Sequence, residues 1–433
     1  MSALWAIVLL VVLMTVGVPV AWSFAGVLAY LVYLYDVNLN ILMLQGFRSL
    51  NSVILIALPL FVLTGYLMQS GGIARRQIYF IEMLVRGRRG GMGASLVLAS
   101  GVFGAISGTA TAAVASIGTV MVGPLEQRGY PRGYSSALLG ISSLLGILIP
   151  PSITMILFAV VTRQSVAACF AAAIGPAILL IIGLILVNRF CVGRFFDESH
   201  LGDSGSETQQ PRSRLRITLS AAPALSMPVI ILGGIYGGIF TPTEAAAVAA
   251  FVALAIGLFL YRDMTWRRLY DSVISATETT GSIILILLFS FMIGRIMAAE
   301  QAPQELSAVV AEVFANPTII LLAVNIVLIV AGALMDDVSV TVIMAPLFLP
   351  LMVNIGVEPV HFAAIVACSV VIGANSPPVA PILYMACRVG RVSVHKAMAT
   401  ALALIAVVAL PVMLITTFVP EVSLFLPRQL GFL

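Results

Sequence analysis

The sequence predicts an all-α polytopic membrane protein of two inverted-topology repeats, each with a re-entrant hairpin and a transmembrane helix broken by Pro-Pro. Three observations carry this. The 433 residues are 61% hydrophobic and only 9% charged, too little charge to cover a soluble domain of that length. The basic residues gather in a few short segments between long uncharged tracts. A series of short motifs also recurs in the same order at a lag of roughly 223–230 residues.

A membrane span needs roughly 20 apolar residues to cross a hydrocarbon core of about 30 Å. Uncharged tracts cover 3–35, 49–74, 90–125, 133–162, 164–188, 217–243, 245–260, 279–294, 313–335, 338–357, 359–387 and 397–420. No basic region precedes the first apolar run, which continues past signal-peptide length, so it reads as a retained span. Cys169, Cys191, Cys368 and Cys387 lack CxxC spacing and read as buried free thiols. His200, His361 and His395 are isolated and read as loop or interface residues, not ligands. The formal charge of +4 lies in short loops and gives no basis for nucleic-acid binding.

Five segments hold 18 of the 22 lysines and arginines. They are Arg75, Arg76, Arg86, Arg88 and Arg89; Arg128 and Arg132; Arg189, Arg194, Arg212, Arg214 and Arg216; Arg262, Arg267 and Arg268; and Arg388, Arg391 and Lys396. Segment 298–317 carries Glu300, Glu305 and Glu312 and no base. The positive-inside rule places the five basic segments in the cytoplasm and 298–317 outside.

One path fits. The first repeat, 1–191, has scaffold spans within 3–69, crossing at 3–19, 20–35 and 51–69. The stretch 90–125 lies between two cytoplasmic loops, so it must go in and come back. Arms of about 15 residues make roughly 22 Å of helix, short of the core, and define a re-entrant hairpin over 91–123. Its tip is Ser107-Gly108-Thr109. A broken span at 134–162 crosses outward and a span at 165–191 inward, followed by a polar cytoplasmic linker, 192–214. The second repeat, 215–433, has scaffold spans within 215–297 and a hairpin at 318–353 with its tip near Met335-Asp336-Asp337. A broken span at 361–387 and a last span at 397–419 follow. Five crossings per half is an odd number, so the second half is inverted. The letters agree: Phe61 and Gly65 match Phe291 and Gly294, Pro19 matches Pro242, Gly104-Ala105 matches Gly332-Ala333, and Pro150-Pro151 matches Pro377-Pro378.

Pro-Pro in mid-span breaks the helix, since each proline removes a donor and clashes with the preceding turn at about 3 kcal/mol or more. The freed carbonyls need partners that hydrocarbon lacks. A single proline would suggest a kink satisfied by neighbouring helices. Two matched breaks, each after a hairpin, point to a cavity-lining site of a transporter. Exposed helix N-termini there favour an anionic group, and unwound carbonyls favour a cation. Ser107, Thr109, Ser152, Asn375 and Ser376 are the candidate side chains for substrate and Na⁺. Asp336 and Asp337 are the carboxylates at the second tip. A charge there costs about 2.5–3.5 kcal/mol on insertion scales and calls for a partner. One of the two is expected to cap the helix starting near Val338 and the other to contact an ion, with the assignment open. Adjacent acids on one tip do not make the facing dyad of an intramembrane aspartyl protease. No nucleotide loop, Ser-His-Asp set or metal cluster supports an enzyme or ATP-driven transport. Segments 71–89 and 263–271 read as matched amphipathic arms at the inner surface.

Several of these motifs resemble the large membrane (M, DctM-like) subunit of TRAP, or tripartite ATP-independent periplasmic, transporters. They are Phe103-Gly104-Ala105-Ile106-Ser107-Gly108-Thr109, Leu125-Glu126-Gln127-Arg128-Gly129-Tyr130, Ile147-Leu148-Ile149-Pro150-Pro151-Ser152 and Gly238-Ile239-Phe240-Thr241-Pro242-Thr243-Glu244-Ala245. The resemblance runs over nearly the whole chain. It implies an elevator-type, Na⁺-coupled importer of organic anions in the bacterial inner membrane, with no cofactor besides the coupling ion. The implied partners are a small four-span Q subunit and a periplasmic substrate-binding P subunit. By position, one implied Na⁺ site comprises Ser107, Gly108, Thr109, Gly146 and Pro150; the other comprises Gly332, Asp336, Asp337, Gly373, Ser376 and Pro377. Asp337 departs from the family, where Thr is common, and Gly373-Ala374-Asn375-Ser376-Pro377-Pro378 replaces a Leu-rich Thr-Pro-Pro form. The alternatives are a stand-alone Na⁺/dicarboxylate symporter of related fold and a non-transporting membrane scaffold.

Overall fold

The computed structural model describes residues 2–85, 88–196, 214–313 and 316–433. Arg86, His200, Arg212 and most of the expected linker 192–214 lie outside the described residues. Apart from one isolated bridge, between Val192 and Phe196, the described elements are helical. The first half contains α1 (Ser2–Thr15), α2 (Val20–Tyr35), α3 (Leu39–Leu50), α4 (Val53–Ser70), α5 (Ile73–Val85), α6 (Gly91–Ser107), α7 (Ala110–Gln127), α8 (Arg132–Ser143), α9 (Leu145–Leu148), α10 (Ile153–Thr162) and α11 (Val166–Cys191). The second contains α12 (Arg214–Tyr236), α13 (Pro242–Ala255), α14 (Trp266–Ala299), α15 (Ala302–Val313), α16 (Pro317–Leu334), α17 (Asp337–Asn354), α18 (Pro359–Gly373), α19 (Pro381–Val389), α20 (Val394–Leu404), α21 (Leu410–Phe418) and α22 (Glu421–Gln429). Wider turns at Ile256–Leu260 and Ile405–Ala409 extend α13 and join α20 to α21.

Local chemistry sets the boundaries. Gly17 takes φ +92° after α1, and Pro19 stands at the N-cap of α2 with φ −55° and ψ 141°, just before the first turn. Asn38 caps α3 by accepting from Asn40 and Ile41 N–H. Thr241 and Glu244 close a full capping box around Pro242 at the start of α13.

Eight helices among the described residues are long and apolar enough to cross a membrane, or nine if the bent pair 132–162 counts as one. Expected crossings at 51–69, 165–191 and 397–419 each coincide with one of the eight, and the expected scaffold region 215–297 holds three more, Ile217–Tyr236, Pro242–Leu260 and Trp266–Ala299. α1 and α2 are shorter, at 14 and 16 residues. The span at 361–387 is split between α18 and α19. The hairpin arms are longer than expected: α6 and α7 have 17 and 18 residues, about 26 and 27 Å, because α7 continues to Gln127. α16 and α17, at 18 residues each, pass the length test for spans.

The expected second arm and the following span are one helix. α14 runs unbroken for 34 residues, about 51 Å, because a single Thr265 cap starts a helix that nothing downstream stops. α3 was not foreseen; it packs on α14 and exposes Leu39, Ile41, Leu44 and Phe47. The arms meet where Arg76 donates to Asp263 at 2.6 Å and stacks its guanidinium 3.8 Å from the Tyr261 ring.

Helices of both halves mix in each packing group. α2, α3 and α4 pack with α13 and α14. α6 to α11 pack with α18 to α22, and α10 lies along α17. His361 is a buried interface residue, its Nε2 2.8 Å from the Thr416 carbonyl oxygen. His395 is exposed at the start of α20, and the four cysteines are free thiols.

Candidate functional site

The first hairpin turns where Gly108 takes φ +65°, and its N–H donates to the Gly104 carbonyl at 3.0 Å. Thr109, extended, caps α7 by accepting from Ala112 N–H at 3.3 Å. The first break follows the same logic: Ile149 turns extended, and Ser152 caps α10 by accepting from Met155 N–H. Tip and break are joined through the backbone, since Ile153 N–H donates to the Gly108 carbonyl at 3.2 Å. Only glycine permits this approach. A Cβ on Gly104 would stand 2.6 Å from Gly146 Cα, one on Gly146 would stand 2.8 Å from the Thr109 oxygen, and one on Gly108 2.8 Å from the Pro151 oxygen. Ser107, Gly108, Thr109, Gly146 and Pro150 thus form one neighbourhood, and Ser152 joins them. The starts of α7 and α10 lie side by side there, with their partial positive charges.

The second pair uses the same seat. A Cβ on Gly373 would stand 2.6 Å from the Gly332 carbonyl carbon, while one on Gly332 would stand 3.3 Å from Gly373 Cα. Both Pro-Pro bonds, Pro150-Pro151 and Pro377-Pro378, are cis. The chemistry differs between the pairs. Asp336 is the cap of α17: its carboxylate accepts from the Ser339 N–H and hydroxyl. Asp337 is the first helical residue and accepts from the Thr154 hydroxyl of α10 at 2.8 Å. Ser376 returns its hydroxyl to the Ile372 carbonyl at 2.7 Å. Pro377, Pro378 and Val379 are exposed, whereas Pro150 and Pro151 are buried. Asn375 is fully buried and donates to the Gly140 carbonyl of α8 at 3.4 Å, while its Oδ1 finds no partner among the described residues.

The expected side-chain set is therefore divided. Ser107, Thr109 and Ser152 gather at the first pair, and Asn375 and Ser376 at the second. Among the described residues, no hydrogen bond joins the two groups directly. They communicate through α8 and α9, whose Gly140 meets Asn375 and whose Gly146 meets Thr109. Sequence reasoning missed Thr154 and Gly140, which tie the two halves together, and Gly65 of α4, which lies against Ser107. For Gly65 the repeat match of Phe61 and Gly65 was an available signal.

A polar cavity of about 730 Å³ opens between α4, α5, α7 and the start of α14, with Tyr66, Gln69, Ser116, Thr119, Ser272 and Ser275 among its walls. Ser116 on the hairpin helix is buried, and its hydroxyl has no partner among the described residues. Where α7 leaves this region, Arg132 grips both Glu126 carboxylate oxygens at 2.6 and 2.7 Å. That hydrogen bonding holds the Glu126 carboxyl below its usual range.

These features define a class: an all-helical, multi-pass membrane protein with two hairpin-and-break pairs. The particular family follows from comparison, since residues 7–422 match the model of the tripartite ATP-independent periplasmic transporter, DctM component. The chain belongs to this family and is a TRAP transporter large permease subunit. It is 36% identical over 412 residues to the C4-dicarboxylate TRAP transporter large permease protein DctM of Pseudomonas aeruginosa, covering 94% of this chain and 93% of that one. It is 31% identical over 418 residues to the sialic acid TRAP transporter large permease protein SiaM of Vibrio cholerae, covering 96% of each. In fold it is similar to the Alcanivorax borkumensis YdaH transporter, with a TM-score of 0.58 over 89% of this chain and 88% of that one at 13% identity.

Proposed function

We propose that this subunit imports an organic anion by Na⁺-coupled secondary transport in the bacterial inner membrane. In this reading a periplasmic substrate-binding P subunit delivers the anion, and a small Q subunit completes the complex. Each half is one inverted repeat. An elevator carries α6–α11 and α16–α22 past the helices grouped around α4 and α14. Each hairpin tip and its break form one Na⁺ site, and the helix N-termini and hydroxyls between them hold a carboxylate. The 730 Å³ polar cavity is the path by which the anion leaves toward the cytoplasm.

The observation that carries the reading is the repeated glycine seat, Gly104 on Gly146 and Gly332 on Gly373. At both seats backbone is brought against backbone, and at the first the starts of α7 and α10 meet as well, an arrangement suited to an anion with a small cation. Relatives with this architecture are named for C4-dicarboxylates and sialic acid, both carboxylates, and another for isethionate, so the anionic group is the common element. The test is uptake of labelled C4-dicarboxylate and sialic acid into proteoliposomes holding the subunit and its Q partner. Uptake should require both the cognate P subunit and an inward Na⁺ gradient. Uptake without the P subunit would favour a stand-alone symporter, and uptake driven by ATP would sink the proposal.

A further inference from the structure

We propose that the chain carries a seat for one anionic phospholipid at the foot of α11, made by Arg89, Arg189 and Arg194 and continued by an apolar stripe up that helix. A recess of about 470 Å³ opens there, lined by Arg89, Leu186, Arg189, Phe190, Gly193 and Arg194. Two of its basic groups are held in place. Arg89 donates from Nε and Nη2 to the Val192 carbonyl at 2.9 and 2.5 Å, and among the described residues its guanidinium makes no other hydrogen bond. Gly193 takes φ +80°, and any side chain there would fill the space of the Arg89 guanidinium. Arg194 lies 5.2 Å from the Phe190 ring centre. The turn carrying Arg194 is anchored in turn, because the Phe196 ring packs 4.9 Å from both Tyr130 and Tyr134.

Among the described residues, none of the three arginines has a carboxylate partner. Guanidinium groups that line one recess with no carboxylate partner among the described residues match a phosphate, which they bind in forked geometry. The apolar part decides what carries that phosphate. Ile178, Ile182, Leu186 and Phe190 recur at every fourth position and are 50%, 50%, 59% and 59% exposed. Leu180 and Leu184 of the same helix are buried. From Ile178 to Phe190 the stripe rises about 18 Å, close to the ~15 Å of one leaflet's hydrocarbon. A headgroup on the arginines therefore places an acyl chain along the stripe. A free phosphate would leave the stripe unused. The recess lies on the side that the arginine distribution assigns to the cytoplasm, where anionic lipid attracts basic clusters at about 1 kcal/mol per residue.

Native mass spectrometry of the purified full chain, titrated with dioleoyl phosphatidylglycerol or phosphatidylcholine, tests this. Phosphatidylglycerol should bind at least about tenfold more tightly, and millimolar inorganic phosphate should not displace it. The double variant Arg189→Gln, Arg194→Gln should bind phosphatidylglycerol about thirtyfold more weakly, from roughly 1 kcal/mol per arginine, with phosphatidylcholine binding unchanged. Arg267→Gln, an exposed arginine elsewhere on the same side, should leave binding intact. Equal binding of the two lipids, an unaffected double variant, or displacement by inorganic phosphate would each overturn the proposal. Lipid discrimination and phosphate competition are read on the unmodified protein and stand even if the double variant is unstable.

Discussion

Replacing Gly104 by alanine drives one methyl group into the backbone of Gly146. The new Cβ would sit 2.6 Å from Gly146 Cα and 2.7 Å from its nitrogen, where ordinary contact begins at 3.4 Å. Neither atom belongs to a flexible side chain, so the hairpin must back away from the break by about 0.8 Å, the difference between those limits. The hydrogen bond from Ile153 N–H to the Gly108 carbonyl, 3.2 Å long, would open to about 4.0 Å and cease to be one. Overpacking of this kind costs about 1–3 kcal/mol, which as lost binding energy is roughly fivefold to more than a hundredfold. The assay is Na⁺ stabilisation of the purified chain against heat, titrated in choline-balanced buffer. Gly104→Ala should raise the half-saturating Na⁺ concentration at least about fivefold, and Gly373→Ala, with its 2.6 Å clash, should do the same. Gly332→Ala meets its nearest neighbour at 3.3 Å and should change Na⁺ binding by less than about threefold. Wild-type Na⁺ affinity in Gly104→Ala, or a larger defect in Gly332→Ala, would refute the reasoning.

Thr154→Val removes the hydroxyl that donates to Asp337 at 2.8 Å and should cost about 1.5–3 kcal/mol in thermal unfolding, with Thr154→Ser restoring most of it. Asn188→Ala removes the acceptor of the Tyr134 hydroxyl and the donor to the Gly90 carbonyl, at 3.1 and 2.8 Å. Asn188 is fully buried, and the Gly90 carbonyl still accepts from Ala94 N–H at 3.0 Å, so the loss should be about 0.5–1.5 kcal/mol per hydrogen bond removed, read as a lower unfolding temperature. The Arg76–Asp263 pair joining the arms is partly exposed, at 24% and 45%, so a double-mutant cycle should return only about 0.2–1 kcal/mol, reduced further in high salt.

The parts legible in the sequence were those whose cause is local. Pro150-Pro151 and Pro377-Pro378 break a helix whatever surrounds them, Ser107-Gly108-Thr109 marks a tip, and a cap from one of Asp336 and Asp337 was expected, though not which of the two. The contacts that bind the halves together were not legible. Thr154 meets Asp337 across 183 residues, and Asn375 meets Gly140 across 235. In a chain surrounded by lipid, apolar residues cover both the packed and the lipid-facing sides of a helix, so pattern alone does not reveal which faces meet. The continuity of α14 was hidden for a related reason. The second arm was expected to end at 271, yet a helix that emerges from the membrane carries charges such as Asp271 and Glu278 without ending.

Accumulation at fixed, zero membrane potential tests the central claim most directly. With subunit, Q partner and P subunit in proteoliposomes, the steady ratio of internal to external anion is measured as the Na⁺ gradient is varied. One Na⁺ at each of the two tip-and-break pairs predicts that the ratio rises as the square of the Na⁺ gradient. A ratio indifferent to the gradient, or one that only follows it linearly, would contradict the account.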